Sequence, residues 1–453
     1  MNRRSFFETL GGGFGMAALQ GMLQGAPSLV RQPHFAPKAK HVIFLFLNGG
    51  MSQVDTFDPK PALAKYDGTP MPGPKIKTDR ASGNLMRSPW SFQKYGQSGI
   101  EVSEIFPHVA KRIDDFCVVR SMYTDSGNHG PSLQIMNCGH QLPGRPSMGS
   151  WVTYGLGTEN QNLPGFVVLC PGFPVLGASL WSAGYMPSVF NGVHIQNSEI
   201  EPEKLIHNLR NTELTPAEQQ RQLALLDKLN RKFLARAGAD TGLEAAVASM
   251  ESAYRLQSEA TEVFDIRKEP AAVRERYDIS DFGRGCLMAL RLVEKGVRMV
   301  QVYYGNFQPW DSHDDIRVHA KLAQKTDGAI AALVDDLKSR GLFDETLILV
   351  ASEFGRTPMI QNSGLEKLGQ GRDHNTPGFT VLLAGGGIKG GTTYGATDDF
   401  GFAAVEKRTH VHDLHATMLH CLGFDHAKLT YRHAGRDFRL TDVHGHVIRE
   451  ILA

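Results

Sequence analysis

The run Val42-Ile43-Phe44-Leu45-Phe46-Leu47 is apolar at every position and stops at Asn48-Gly49-Gly50. A strand with one wet face alternates apolar and polar residues, whereas a short unbroken run marks a strand covered on both faces, as in a parallel sheet. Similar runs span Phe116 to Arg120, Phe166 to Cys170, Val297 to Tyr304, Thr346 to Val350 and Phe379 to Leu383. Helical patterns lie between several of them: Asp281 to Lys295, stopped by Gly296, and Lys321 to Arg340, stopped by Gly341. This alternation predicts an α/β fold, a mainly parallel sheet with helices on both faces. It also predicts where a site belongs, because ligands of open α/β sheets bind beyond the carboxyl ends of the strands.

Two segments depart from the pattern. Between about 215 and 260, Thr215-Pro216-Ala217-Glu218 and Thr241-Gly242-Leu243-Glu244 read as capping boxes, and Leu243, Val247, Met250 and Tyr254 form an apolar stripe, so a helical hairpin packed on the sheet is expected. At the amino terminus, Asn2-Arg3-Arg4-Ser5-Phe6-Phe7 precedes the uncharged, Gly- and Ala-rich stretch Leu10 to Val30. This resembles the twin-arginine signal, and its glycines make a poor membrane-spanning helix. Residues 1 to 36 are therefore expected to be a signal peptide read by the twin-arginine export machinery, and 37 to 453 one α/β domain, periplasmic or extracellular, with no stable membrane span. Export in the folded state allows metal loading in the cytoplasm. It also accommodates Cys117, Cys138, Cys170, Cys286 and Cys421, an odd set without a CxxC pair, as buried thiols.

The charge is nearly balanced, 48 Lys and Arg against 47 Asp and Glu, which argues against a nucleic-acid partner. The 48 glycines and 23 prolines indicate long ordered loops, and loops carry sites. After the first strand comes Asn48 to Asp55; past 116 to 120 lies Thr124 to Ser132, with His129; beyond 297 to 304 stands Trp310-Asp311-Ser312-His313-Asp314. After 346 to 350 comes Ser352-Glu353-Phe354-Gly355-Arg356-Thr357-Pro358, and ahead of Phe379 lies Gly371-Arg372-Asp373-His374-Asn375. Singly, each has an ordinary explanation, such as Glu353 pairing with Arg356. Gathered at one sheet edge, oxygen and imidazole donors suit a divalent ion such as zinc, manganese, magnesium or calcium, while the absence of thiolates disfavours a structural zinc site.

Two other patterns are read as scaffold. Most carboxyl-terminal histidines, His412 and His415 among them, fall on or after a helix at Val411 to Leu422 whose stripe is Leu414, Met418 and Leu422. Gly385-Gly386-Gly387-Ile388-Lys389-Gly390 fits GxGxxG, but Gly391-Thr392-Thr393-Tyr394-Gly395 cannot open the phosphate-binding helix such a motif needs.

The order Asn48 to Pro61, Trp310 to His313, Ser352 to Pro358 and Gly371 to Asn375 resembles a twin-arginine-exported bacterial family, the domain of unknown function 1501 family, grouped with the alkaline phosphatase and sulfatase superfamily. The resemblance implies that superfamily's fold. It sets Glu353 and Phe354 where sulfatases carry Asp-His, likens His374 with Asn375 to a His-Thr ligand, and likens Asp311 with His313 to an Asp-x-x-x-His pair. Asn48 stands where the first strand delivers an Asp ligand. Asn128-His129-Gly130-Pro131-Ser132 is similar to the Cys-x-Pro-Ser-Arg nucleophile segment, with His129 in place of the nucleophile and Leu133 in place of the Arg. The implied site is a metal held by Asp311, His313, Glu353, His374 and Asn48, with Arg356 gripping an anion and His129 and Ser132 completing the catalytic group. The implied activity is hydrolysis of a phosphate or sulfate ester on a small molecule or a polysaccharide. The substitutions at the nucleophile and at Asn48 imply an alternative, a non-catalytic member that binds a glycan or an envelope protein.

Overall fold

The computed structural model describes residues 32–73, 78, 80–160, 162–205, 262–278, 280–361 and 370–453, with isolated positions between 214 and 232. A nine-stranded sheet runs in the order Thr392–Tyr394, Phe116–Tyr123, Phe379–Ala384, Thr346–Ala351, His41–Phe46, Met299–Tyr303, Phe166–Leu169, Val193–Ile195, with Thr409–His410 also paired to Phe116–Tyr123. The first strand lies between parallel neighbours, Leu45 opposite Val302 on one side and Val350 on the other. Among the described strands of this sheet, Phe379–Ala384 alone runs antiparallel to both of its neighbours.

Helices cover both faces, as the unbroken apolar runs require. Ile43 and Leu45 pack with Leu287 and Leu333 of the helices Asp281–Glu294 and Val318–Ser339. Val42, Phe44 and Phe46 point the other way, into a core with Leu133, Trp151 and Leu414 from His129–Cys138, Met148–Leu156 and Val411–Cys421. This period-2 division of one strand between two cores is what a buried strand's pleat produces. Both long helices end at the expected glycines, Gly296 and Gly341 having positive φ of 86° and 69°.

Two loops of the sequence reading are strands. Ser82–Leu85, Gly355–Gln361 and Arg372–Asn375 form a separate three-stranded sheet, so the motifs around Arg356 and His374 are partly extended. These strands are rich in polar residues because they line a polar centre, and hydrophobic periodicity is blind to that. At the amino-terminal end of the described chain, the His34 amide donates to Gly423 O at 2.8 Å and the Lys38 amide to Cys421 O at 2.8 Å, fastening this segment to the helix Val411–Cys421. Of the expected export signal, 1 to 36, residues 1–31 lie outside the described residues. Of the expected hairpin, the first capping box is present, Thr215 N donating to Glu218 Oε2 at 2.9 Å and Glu218 N to Thr215 Oγ1 at 3.4 Å. The stripe from Leu243 to Tyr254 lies outside the described residues.

Candidate metal centre

Several parallel strands deliver loops to one edge of the sheet, and the antiparallel strand Phe379–Ala384 begins at that same edge. His374, on Arg372–Asn375 just ahead of it, is thereby brought beside residues that follow the parallel strands. His129 opens the helix His129–Cys138, whose cap, Asn128 Oδ1, accepts the Gly130 amide at 3.0 Å. Asp311 and His313 lie between Met299–Tyr303 and Val318–Ser339, and Arg356 faces His374 across the ladder of the small sheet.

Side-chain donor atoms of His129, Asp311, His313 and His374 all lie within 4.8 Å of one another. The Asp311 carboxylate is the hub: His313 Nε2 is 2.8 Å and His374 Nε2 3.2 Å from its Oδ1, and His129 Nε2 is 3.3 Å from its Oδ2. Each imidazole is held from behind through its other nitrogen. His129 Nδ1 donates to Glu353 Oε1 at 2.7 Å, His374 Nδ1 donates to the Gly127 carbonyl at 2.6 Å, and His313 Nδ1 donates to Gln361 Oε1. A carboxylate and a carbonyl can only accept, so His129 and His374 each carry a proton on Nδ1 and present Nε2 inward. Outer-shell acceptors fix metal-binding histidines in this way.

The inward atoms fit a cation. His129 Nε2 and His313 Nε2 are buried and make no hydrogen bond despite their closeness to Asp311. An imidazole nitrogen held this close to a carboxylate oxygen needs positive charge between them, which either a proton on the ring or a bound cation supplies. The charges around the cluster favour positive charge at its middle. Burial disfavours a charged His129, but Asp311 and Glu353 outweigh it and raise its pKa. Burial likewise raises Asp311, yet the three imidazoles gathered against it and the charge of Arg356 hold it far below the usual carboxylate range. For His374 burial prevails and the pKa falls. The Asp311 side chain is 24% exposed against 13%, 12% and 8% for His129, His313 and His374, so the centre opens to solvent on the carboxylate side.

Of the five expected ligands, Asp311, His313 and His374 converge and Glu353 and Asn48 do not. Glu353 stands behind His129: fully buried, it takes the His129 proton on Oε1 and the Gly49 amide at 3.0 Å on both oxygens. His129, expected in the catalytic group in place of the nucleophile, is the fourth member of the converging cluster. The Asn48 amide nitrogen donates to the carbonyls of Gly305, at 3.1 Å, and Phe307, tying the first strand to the loop that carries Asp311; its Oδ1 makes no hydrogen bond. The Ser132 hydroxyl, buried within its helix, donates to the Ser126 carbonyl, a bond that stabilises the turn leading to His129.

Arg356 does not grip an anion. It is fully buried, and its guanidinium donates to the carbonyls of Gly50 at 3.0 Å, Arg372 at 3.2 Å, Trp310 at 3.4 Å and Gly49, and to Asp311 Oδ1 at 2.6 Å. Its work is to lock the loops together and neutralise Asp311 from the protein side. Gly49 makes the closeness possible: its φ is 120°, and a Cβ there would lie 2.5 Å from the Asp311 amide nitrogen. The same loop is pinned by Ser52 N donating to His319 Nε2 at 3.1 Å and by the fully buried pair Arg372–Asp55, at 2.7 Å and 3.1 Å. Gln361 and the Gly127 carbonyl escaped the sequence reading, since a backbone oxygen leaves no signal and a lone glutamine carries no spacing.

The other readings are settled locally. His412 Nε2 donates to Gly139 O and His415 Nε2 to Met136 O, both at 2.9 Å, which makes them helix anchors. The five cysteines are free and buried. The glycines 385–387 form a left-handed turn, with φ of 62°, 51° and 86°, and no helix follows. No helix among the described residues is long and apolar enough to cross a membrane.

No curated protein matches the sequence. Solved structures similar to this chain include a sulfatase from Pseudoalteromonas sp., with 12% identity over 85% of this chain and 68% of that one and a TM-score of 0.35. Others are a protein in the alkaline phosphatase superfamily from Vibrio parahaemolyticus (9% identity, 95% and 78% covered, TM-score 0.37) and the alkaline phosphatase of the Antarctic bacterium TAB5 (12%, 77% and 92%, 0.30). The family model described as Protein of unknown function (DUF1501) matches residues 39–452. With that match spanning both cores of the sheet and every residue of the centre, the chain belongs to the DUF1501 family.

Proposed function

We propose that the chain is a metal-dependent hydrolase of phosphate or sulfate esters, exported in the folded state by the twin-arginine route to the periplasm. The observation that carries the reading is the convergence of three imidazole Nε2 atoms on the Asp311 carboxylate, each ring held through Nδ1. Three imidazoles and one carboxylate suit zinc, manganese or a similar first-row ion better than calcium or magnesium, which favour all-oxygen sets. A divalent cation bound there supplies Lewis acidity to an ester oxygen and lowers the pKa of water toward neutrality. The ester class comes from the resemblance of the loop motifs to the alkaline phosphatase and sulfatase superfamily.

The chain's own residues prepare the centre. Glu353, Gln361 and the Gly127 carbonyl aim the imidazoles, Phe354 packs against the rings of His129 and His374 at 4.8 Å and 4.5 Å, and Arg356 keeps Asp311 ionised and in place. Because the Ser132 hydroxyl is bonded to Ser126 O, the reading assigns attack to water rather than to a side-chain hydroxyl. Folded export agrees with five thiols that are all buried, where an oxidising compartment cannot pair them.

The test is metal analysis of the purified chain after loading with zinc or manganese, with turnover of aryl phosphate and aryl sulfate, beside His374→Ala. One tightly held ion and ester turnover, both lost in the variant, are expected. Failure to hold any divalent ion overturns the proposal; an ion held without turnover of either ester favours the non-catalytic glycan-binding or envelope-protein-binding alternative.

A further inference from the structure

Beside the centre, the rim of the sheet exposes apolar side chains at unusual backbone positions. Phe307, four residues before Asp311, is 68% exposed with φ 53°, and Leu176 is 44% exposed with φ 73°. Left-handed conformations are avoided by residues with a Cβ other than Asn and Asp, and their persistence in bulky exposed residues points to use rather than to packing. Phe173, 51% exposed, is coupled to Phe307: the Phe307 amide donates to Phe173 O at 3.0 Å, and the Phe173 amide to Asn306 Oδ1 at 2.9 Å. The patch brackets the centre. Leu176 lies against Gly130, next to His129, a Cβ there being 3.8 Å from Leu176 Cδ1, and Phe307 connects through the Gln308–Asp311 turn to the carboxylate hub. On its far side, Tyr304, Asn306 and Lys325 line a cavity of about 410 Å³.

We propose that this rim is a carbohydrate track, so that the ester at the metal centre is carried on an oligosaccharide; the position of the reacting ester rests on the hydrolase reading, the track itself does not. The electron-rich face of an exposed aromatic ring attracts the C–H face of a sugar. Asn306, Lys325 and Asp281, all lining that cavity, suit the hydroxyl and amino or anionic substituents of a further ring, and the cavity is of ligand size. A protein partner is disfavoured, since a stable protein interface buries roughly 800 Å² per side and a patch of three apolar side chains falls short of that.

The test is calorimetric titration of the full chain with dextran sulfate oligosaccharides and with unsulfated dextran oligosaccharides. Phe307→Gly removes the ring and also relaxes the left-handed backbone, so the variant folds at least as readily. It is expected to weaken oligosaccharide binding roughly tenfold while Phe307→Tyr retains it, the loss matching one ring face returned to water. Hydrolysis of methyl phosphate or methyl sulfate, which reach no platform, is expected to be unchanged in both. Equal binding by Phe307→Gly and the parent, or no binding of either oligosaccharide by the parent, overturns the track. Oligosaccharide binding that depends on Phe307 in a chain without esterase activity upholds the track and defeats the hydrolase reading instead.

Discussion

Glu353→Gln separates the two roles open to this residue, ligand or support. The side chain is fully buried, with Oε1 2.7 Å from His129 Nδ1 and both oxygens 3.0 Å from the Gly49 amide. Glutamine keeps the shape, and its single oxygen can still accept from His129, but its amide group then meets the Gly49 N–H donor to donor. The support behind His129 survives in weakened form. Loss of an outer-shell acceptor of this kind reduces metal affinity by about 10- to 100-fold, or roughly 1.4 to 2.8 kcal/mol. His374→Ala deletes a donor outright and should exceed about a hundredfold. Competition against a chromophoric zinc chelator measures both variants on one scale. If Glu353→Gln lost as much affinity as His374→Ala, Glu353 would be a ligand and the set built on His129 would be wrong; if it lost none, aiming of the imidazole would be irrelevant to the centre.

Arg356→Met leaves the Gly49, Gly50 and Arg372 carbonyls and the Asp311 carboxylate without their donor, and should destabilise the fold by about 3 to 5 kcal/mol in denaturant unfolding; a change under about 1 kcal/mol would remove Arg356 from the interlock. Gly49→Ala places a Cβ 2.5 Å from the Asp311 amide at φ 120°, for an expected loss of about 3 kcal/mol together with weakened metal binding; wild-type behaviour in both assays would show that the two loops are not wedged together. His415, buried against the Met136 carbonyl, has its pKa lowered by burial from 6.5 to about 3. Below about pH 6.5 the unfolded chain therefore takes up a proton that the folded chain refuses, so this group's contribution is complete above that pH and falls by about 1.4 kcal/mol per unit on acidification. Urea midpoints compared at about pH 7.5 and about pH 5.5 should converge in His415→Gln by that amount, and an unaltered pH dependence would show that His415 titrates normally.

The sheet was legible because its signal is strong and local. Six apolar runs located the strands within a few residues, since a strand buried on both faces has no polar position to dilute it. Val193–Ile195, Thr392–Tyr394 and Thr409–His410 were missed: each is short and at or near the edge. The direction of Phe379–Ala384 was equally invisible, and direction is what carries His374 to the working edge. Within the centre, Asp311, His313 and His374 were expected together from their place after or before strands, and the fold brings their side chains together. His129 rather than Glu353 joins them, and Glu353 stands behind it: both are polar residues at the same edge, and which of two such groups faces inward is decided by a few ångströms of packing that spacing does not encode.

That placement bears on what the family motif reports. In the segment Asn48 to Asp55, Gly49 allows close approach to Asp311, the Ser52 amide engages His319, Gln53 Nε2 donates to Arg356 O at 2.9 Å, and Asp55 pairs with Arg372. In the second segment, the Ser352 hydroxyl accepts the Met51 amide at 2.9 Å, Glu353 supports His129 and Arg356 ties the loops together. These are the parts of an interlock, largely buried and mutually bonded, and breaking any one leaves a polar group unsatisfied in the interior, which is costly whether or not the chain turns over a substrate. A chain could therefore keep both segments for folding alone after losing its chemistry. The discriminating residues are His129, His313 and His374: their inward nitrogens contribute little to stability and have a physical reason to remain imidazoles only if a cation is held. Substituting His313 by Gln, which leaves the interlock untouched, should then abolish metal retention with a change in unfolding free energy under about 1 kcal/mol, and a large loss of stability without loss of metal would invert the division between frame and centre.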